Sequence, residues 1–127
     1  MNTSLVLELT PVGTPKCRIS LGKDLQYFFT LDNPTSLRLN LVESGSLIVE
    51  HFGRSDNDPH TAVIVQSIQF NEITNPKFVY QGIYYPKYPP HLVGSKEILP
   101  HQNYLSWNGI WQLDFTLPIY TWIHKTL

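Results

Sequence analysis

Three groups of aromatic side chains in this chain are suited to chemistry at a surface. Tyr80, Tyr84, Tyr85 and Tyr88 fall in one short stretch that ends in Pro89-Pro90. Trp107 and Trp111 follow, with Tyr104 just ahead of them and Asn108-Gly109 between them. Tyr120 and Trp122 make the third group. Flat aromatic faces beside Asn, Gln and Asp acceptors stack on sugar rings and bond their hydroxyls. The same residue types anchor protein interfaces, where Tyr and Trp dominate the binding energy. The competing reading is core packing, the commonest role for any one aromatic, and Asn108-Gly109 reads as a hairpin turn that would place Trp107 and Trp111 in a core. For 80–90, Pro-rich and beside a loop, an exposed contact role is favoured. The contact candidates are Tyr80, Tyr84, Tyr85, Tyr88, Trp107 and Trp111.

Metal and catalytic chemistry have thinner support. His51, His60, His91, His101 and His124 lack the short spacings that build a zinc site. Asp56 and Asp58 in Ser55-Asp56-Asn57-Asp58-Pro59 place oxygen ligands at alternate positions, as a calcium loop begins. The glycine and the distant glutamate of an EF-hand are missing. Asp and Asn also favour plain turns through local backbone hydrogen bonds, and that is the preferred reading here. Calcium is the one cofactor candidate. No G-x-S-x-G elbow or Gly-rich phosphate loop occurs, and nothing pairs Cys17 with a histidine as nucleophile and base. The expectation is a protein that is not an enzyme.

The elements that must position these residues are strands. Leu5, Leu7 and Leu9 alternate with Val6 and Glu8, and Leu37, Leu39 and Leu41 with Arg38 and Asn40. In 62–70 the period puts Ile64, Ile68 and Phe70 on one face and Val65, Ser67 and Gln69 on the other. Period two is the mark of strands burying one face. Turn residues such as Gly22-Lys23-Asp24, Asp32-Asn33-Pro34 and Glu43-Ser44-Gly45 separate the runs. The reading places strands at 4–10, 16–21, 26–31, 36–42, 46–52, 62–70, 79–85 and 110–117, with a further candidate at 119–124. Ten prolines leave no room for a long helix. Residues 86–103 form a long connection. The fold class expected is all-β, an antiparallel two-sheet, jelly-roll-like sandwich in a single domain over 1–127.

Composition narrows the partners. The net charge is −1 and the nine Lys and Arg are scattered, which argues against nucleic-acid binding. No run approaches the ~18 apolar residues that cross a bilayer, so no membrane partner is expected. The start Met1-Asn2-Thr3-Ser4 lacks a basic, then apolar, leader pattern. Charged residues are 15% of the chain, against about 25% in ordinary domains. Aromatics reach 13%. Low charge with surplus rings is the composition of an interface core; a polar, uncharged surface over a tight β core is the alternative.

Two stretches carry a resemblance. Gly45–Asp56, with its Val49-Glu50-His51-Phe52-Gly53, and Ala62–Ile73, closing on Ile68-Gln69-Phe70-Asn71-Glu72-Ile73, resemble small β-sandwich modules related to carbohydrate-binding modules. The tail from Tyr104 to His124 is similar to uncharacterised virion structural proteins of marine tailed bacteriophages. The resemblance implies a jelly-roll-like sandwich and a place in the virion: a capsid decoration, the neck or collar, or the tail. The expected function is a structural protein of that particle, a homo-oligomer or multi-copy component held by other virion proteins. The N-terminal strand around Leu5–Leu9 is expected to be an unpaired edge that joins a neighbour. The alternative is a glycan-binding module that aids attachment to a host surface.

Overall fold

Alternating side chains do build two stacked antiparallel sheets. The computed structural model describes residues 3–22, 25–54, 59–87 and 98–126. In chain order the elements are β1 (Thr3–Val12), β2 (Lys16–Leu21), β3 (Leu25–Thr30), β4 (Thr35–Leu41), β5 (Gly45–Phe52), β6 (Ala62–Phe70), β7 (Ile73–Thr74), α1 (Pro76–Tyr80), β8 (Ile83–Pro86), β9 (Leu99–Pro100), β10 (Tyr104–Leu105), β11 (Gly109–Phe115) and α2 (Ile119–Thr126). One sheet runs β10-β6-β1-β4, with β7 paired to β6; the other runs β3-β2-β5-β11-β8-β9. Their inner faces interdigitate. Leu5, Leu7, Leu9, Leu39 and Val65 on one side meet Cys17, Ile19, Val49, Trp111 and Leu113 on the other, all buried. Each such side chain contributes about 1.5–3 kcal/mol relative to exposure, so the core carries the stability.

Four expectations change. β1 lies between β4 and β6 and is paired on both sides, so it offers no free edge to a neighbour. Its alternating leucines need a full ladder because they sit mid-sheet. In β6 the register slips at Glu8/Leu9, so that Glu8 opposes Ser67 while Leu9 opposes Val65. The extra residue, Gln66, is a β-bulge that reverses the side-chain parity. Val63 and Val65 therefore point inward with Ile68 and Phe70, and Ile64 does not.

The third change concerns 79–85, which splits into the end of α1 and the start of β8. Asn75 caps α1 by accepting from the Lys77 N–H at 2.9 Å, and Pro76 opens it. The fourth is 119–124, which is helical. Ile119 and Ile123 are buried on one side of α2, and Trp122 packs against Phe70 at 5.4 Å and Phe78 at 6.1 Å between ring centroids. With Phe70 and Phe78 edge-to-face at 5.1 Å, the rings close the sandwich at the Phe70 end of β6. The Ala62 end of β6, on the far side of the same strand, is where the cleft described below opens.

Candidate binding cleft

The turn between β1 and β2, the last residues of β5 and the segment 59–61 surround a cleft of about 510 Å³. That size is within the range of small-ligand pockets, roughly 300–1,000 Å³. Gly13, Lys16, Phe52, Arg54, His60 and Thr61 are among its walls. The chain reaches this place because β5 ends with a left-handed residue: Gly53 has φ +75°, and a Cβ there would come within 2.9 Å of Lys16 Cδ.

Arg54 is the pivot. Its guanidinium lies 4.1 Å from the Trp107 ring centroid, a stacked cation–π arrangement. Nη1 donates to the carbonyls of Ser106 and, at 3.3 Å, Thr61. The Arg54 N–H donates to Asn108 Oδ1 at 2.9 Å, and Asn108 Nδ2 returns a bond to the Arg54 carbonyl at 2.7 Å. These bonds fasten the end of β5 to segment 106–108, which carries the chain from one sheet to the other. Asn108-Gly109 is thus not a hairpin turn, since β10 pairs with β6 and β11 pairs with β5 and β8. Gly109, at φ +151°, lets the Tyr85 carbonyl approach to where a Cβ would be only 2.4 Å away.

Two histidines flank Arg54. His51 points inward and is 1% exposed. Its Nδ1 donates to the Leu105 carbonyl at 2.9 Å, which leaves Nε2 to accept from Thr61 Oγ1 at 3.2 Å. Burial pushes this imidazole below the ordinary histidine value, with the charge of Arg54 acting the same way, against its bonds to main-chain carbonyls. His51 is a neutral strut joining β5 to β10. His60 faces the cleft instead. Its Nε2 and the Tyr104 hydroxyl share a 2.8 Å hydrogen bond, and the two rings are parallel within 14° at 6.1 Å.

The sequence candidates scatter. Trp107 is brought to the cleft, beneath Arg54. Tyr84 and Trp111 are corrected to core residues, at 1% and 0% exposure. The reason is strand parity: Trp111 and Tyr84 are paired across β11 and β8 and both face inward. Tyr84 nevertheless serves the site, because its hydroxyl holds the backbone of Trp107. Tyr85 lies on the outer face of the β3–β9 sheet and is partly exposed. Tyr80, 47% exposed, closes α1, next to the opposite end of β6, and its carbonyl accepts from His101 Nδ1 at 2.8 Å. Tyr88, Asp56 and Asp58 lie outside the described residues. The sequence reading missed Arg54, His60, Tyr104 and Thr61 as a group. His60 and Tyr104 are 44 positions apart, and only the antiparallel pairing of β10 with β6 brings them together.

A calcium ion needs six to eight oxygen ligands, carboxylates among them. No three His, Cys, Asp or Glu side chains converge on one point among the described residues. The described walls of the cleft contribute imidazole, ammonium and guanidinium groups. Those described walls offer no carboxylate for calcium, and the sequence candidates Asp56 and Asp58 lie outside the described residues.

No protein-family model matches the chain, and no curated protein matches it in sequence. Two solved structures share its fold. One is the selenomethionine form of vCBM60, described in work on a circular permutation linking two families of calcium-dependent carbohydrate-binding modules. It superposes with a TM-score of 0.59 at 13% identity, covering 88% of this chain and 90% of that one. The other is vCBM60 in complex with galactobiose, with a TM-score of 0.61 at 15% identity over 87% and 97% of the two chains. The likeness is one of fold: both are the β-sandwich described above.

Proposed function

We propose that this chain is a non-catalytic glycan-binding module and that the cleft beside His60 and Tyr104 is its binding site. The observation that carries the reading is the cleft itself. It is an open, ligand-sized concavity lined by His60, Thr61 and Lys16, donors and acceptors of the kind sugar hydroxyls require, with Phe52 as an apolar wall and Tyr104 bonded to His60 beside it. Support comes from the shared fold, since vCBM60 is a carbohydrate-binding module that has been solved with galactobiose.

The site works through the chain's own side chains. The His60–Tyr104 pair fixes two polar atoms and two parallel rings in place before a ligand arrives, which lowers the entropy cost of binding. Arg54 is held by the Trp107 ring, the Ser106 and Thr61 carbonyls and the Asn108 side chain, so this wall of the cleft is preorganised. Thr61 donates to the buried His51, and this bond spans from the cleft to β10 as a structural tie. No step of this scheme passes through a metal ion.

A structural role in a phage particle has less behind it. One version of that reading used a free β1 edge, and β1 is paired on both sides; the low charge and surplus rings that motivated it serve a glycan site as well.

The test is a glycan array followed by calorimetric titration of the best oligosaccharide, galactobiose included, with and without a chelator. Binding that survives the chelator and falls at least about tenfold in Tyr104→Ala and His60→Ala supports the reading. An array blank in both buffers, or affinity unaffected by both substitutions, overturns it.

A further inference from the structure

The two outer faces of this sandwich differ in chemistry. On the β10-β6-β1-β4 sheet the outward rows read Ser36–Glu8–Ser67 and Arg38–Val6–Gln69, a polar surface. On the other sheet the central outward row reads Phe28–Arg18–Glu50–Ile110–Tyr85 across β3, β2, β5, β11 and β8. The next row adds Ile48 and Ile83 on either side of Gln112. Phe28 is 63% exposed, and Ile48, Ile83, Ile110 and Tyr85 are partly so. Arg18 and Glu50 form an ion pair at the centre, with the Arg18 guanidinium 5.9 Å from the Phe28 ring centroid. A chain with this little charge has placed a charge pair in the middle of its most apolar outer face.

We infer that this face is a self-association surface whose occupant is a second copy of the chain. The argument is the order of the row: apolar, cation, anion, apolar. A two-fold axis along the strands between β2 and β5 sets Arg18 of each copy on Glu50 of the other, and Phe28 on Ile110. The row is therefore its own complement, as a symmetric dimer interface must be. A face this polar at its centre and apolar at its flanks matches no neutral or single-sign partner as well. Five strands about 4.8 Å apart and three outward rows about 6.8 Å apart cover roughly 25 × 20 Å. That footprint, about 500 Å², is below the about 800 Å² per partner of a standard interface, which places the dimer in the weak, concentration-dependent class. Lys16 and Phe52, which wall the cleft, lie in the outward row beside this one, but the inference is carried by the charge order of the central row and stands apart from the glycan-binding proposal.

The test is sedimentation velocity of the full chain with charge reversals at the two central positions. The wild type should form a concentration-dependent dimer. Arg18→Glu alone and Glu50→Arg alone should each weaken it at least about tenfold, because like charges then face each other across the axis. Mixing the two variants should restore the dimer as a heterodimer, since every facing pair is again opposite in sign. A purely intrachain role for the ion pair does not produce that rescue. Ile110→Lys, which leaves the ion pair intact, should also dissociate the dimer, and circular dichroism checks that each variant is folded. A wild type monomeric at millimolar concentration overturns the inference. So does a dimer indifferent to Ile110→Lys, or a mixture of the two reversals that stays monomeric.

Discussion

Tyr84 holds Trp107 by both of its main-chain polar groups. The phenolic hydroxyl donates to the Trp107 carbonyl at 2.5 Å and accepts from the Trp107 N–H at 3.1 Å. A buried core residue of one sheet thus sets the position of the residue on which Arg54 stacks, and with it one wall of the cleft.

Tyr84→Phe removes this clamp while keeping the ring. Two partly buried main-chain groups lose a partner, which costs about 1–3 kcal/mol. The urea midpoint should drop accordingly with the fold intact, and affinity at the cleft should weaken because Trp107 and Arg54 shift together. An unchanged midpoint shows that the clamp contributes nothing.

His51 should make stability depend on pH. Its folded value is lowered, so below the unfolded histidine value of about 6.5 the unfolded chain takes up a proton that the folded chain refuses. Its contribution is therefore complete above that value and is lost as the pH falls toward the depressed one. Urea midpoints should decline from pH 8 to pH 5 in the wild type and flatten in His51→Gln. Asp114 does not confuse the comparison. Hydrogen bonds from Gln112 and Ser46 hold its carboxyl below the usual carboxylate range, so it titrates under more acidic conditions.

Gly82→Ala tests the packing of Trp111. A Cβ at position 82 would lie 2.0 Å from the indole Cε2 and Cζ2, deep in the core, where neither partner has room to move. Overpacking of this kind costs about 3 kcal/mol. Thermal melts should show a large loss, with changed tryptophan fluorescence. Wild-type stability would mean that the indole has another place to go.

Cys17 should be inert in the native state. Burial between the sheets, with the Glu50 charge adding to it, pushes its thiol up to about 12, so no thiolate is present at neutral pH. A disulfide-exchange reagent should label it only after denaturant is added, at the unfolding rate. Rapid labelling of folded protein would show that the sheets part at β2.

Much of the fold was legible in the sequence because strands announce themselves one residue at a time. Side-chain alternation in β1, β2, β4 and β5 marks both the element and its buried face, and needs no knowledge of the neighbours. The period fails where two geometries share it. Ile119 and Ile123 are four apart, a spacing that suits two steps of strand alternation and one turn of helix alike. With β-branched and aromatic neighbours the run reads as strand; packing against Phe70 and Phe78 makes it a helix. The bulge at Gln66 is invisible for a related reason. It exists only relative to β1, and it exchanges the faces of Val65 and Ile64.

Local alternation of side chains is enough to dictate sheets around a leucine- and valine-rich core. Which aromatics are core and which reach a surface is settled by tertiary packing: Trp111 faces inward on β11, whereas Trp107 lies in the 106–108 segment ahead of that strand. Tertiary packing also decided where the cleft lies. His60 meets Tyr104, and Arg54 meets Trp107, through strand pairings between residues far apart in the chain, and a contact of that range is set by the order of strands in a sheet, which no local pattern encodes.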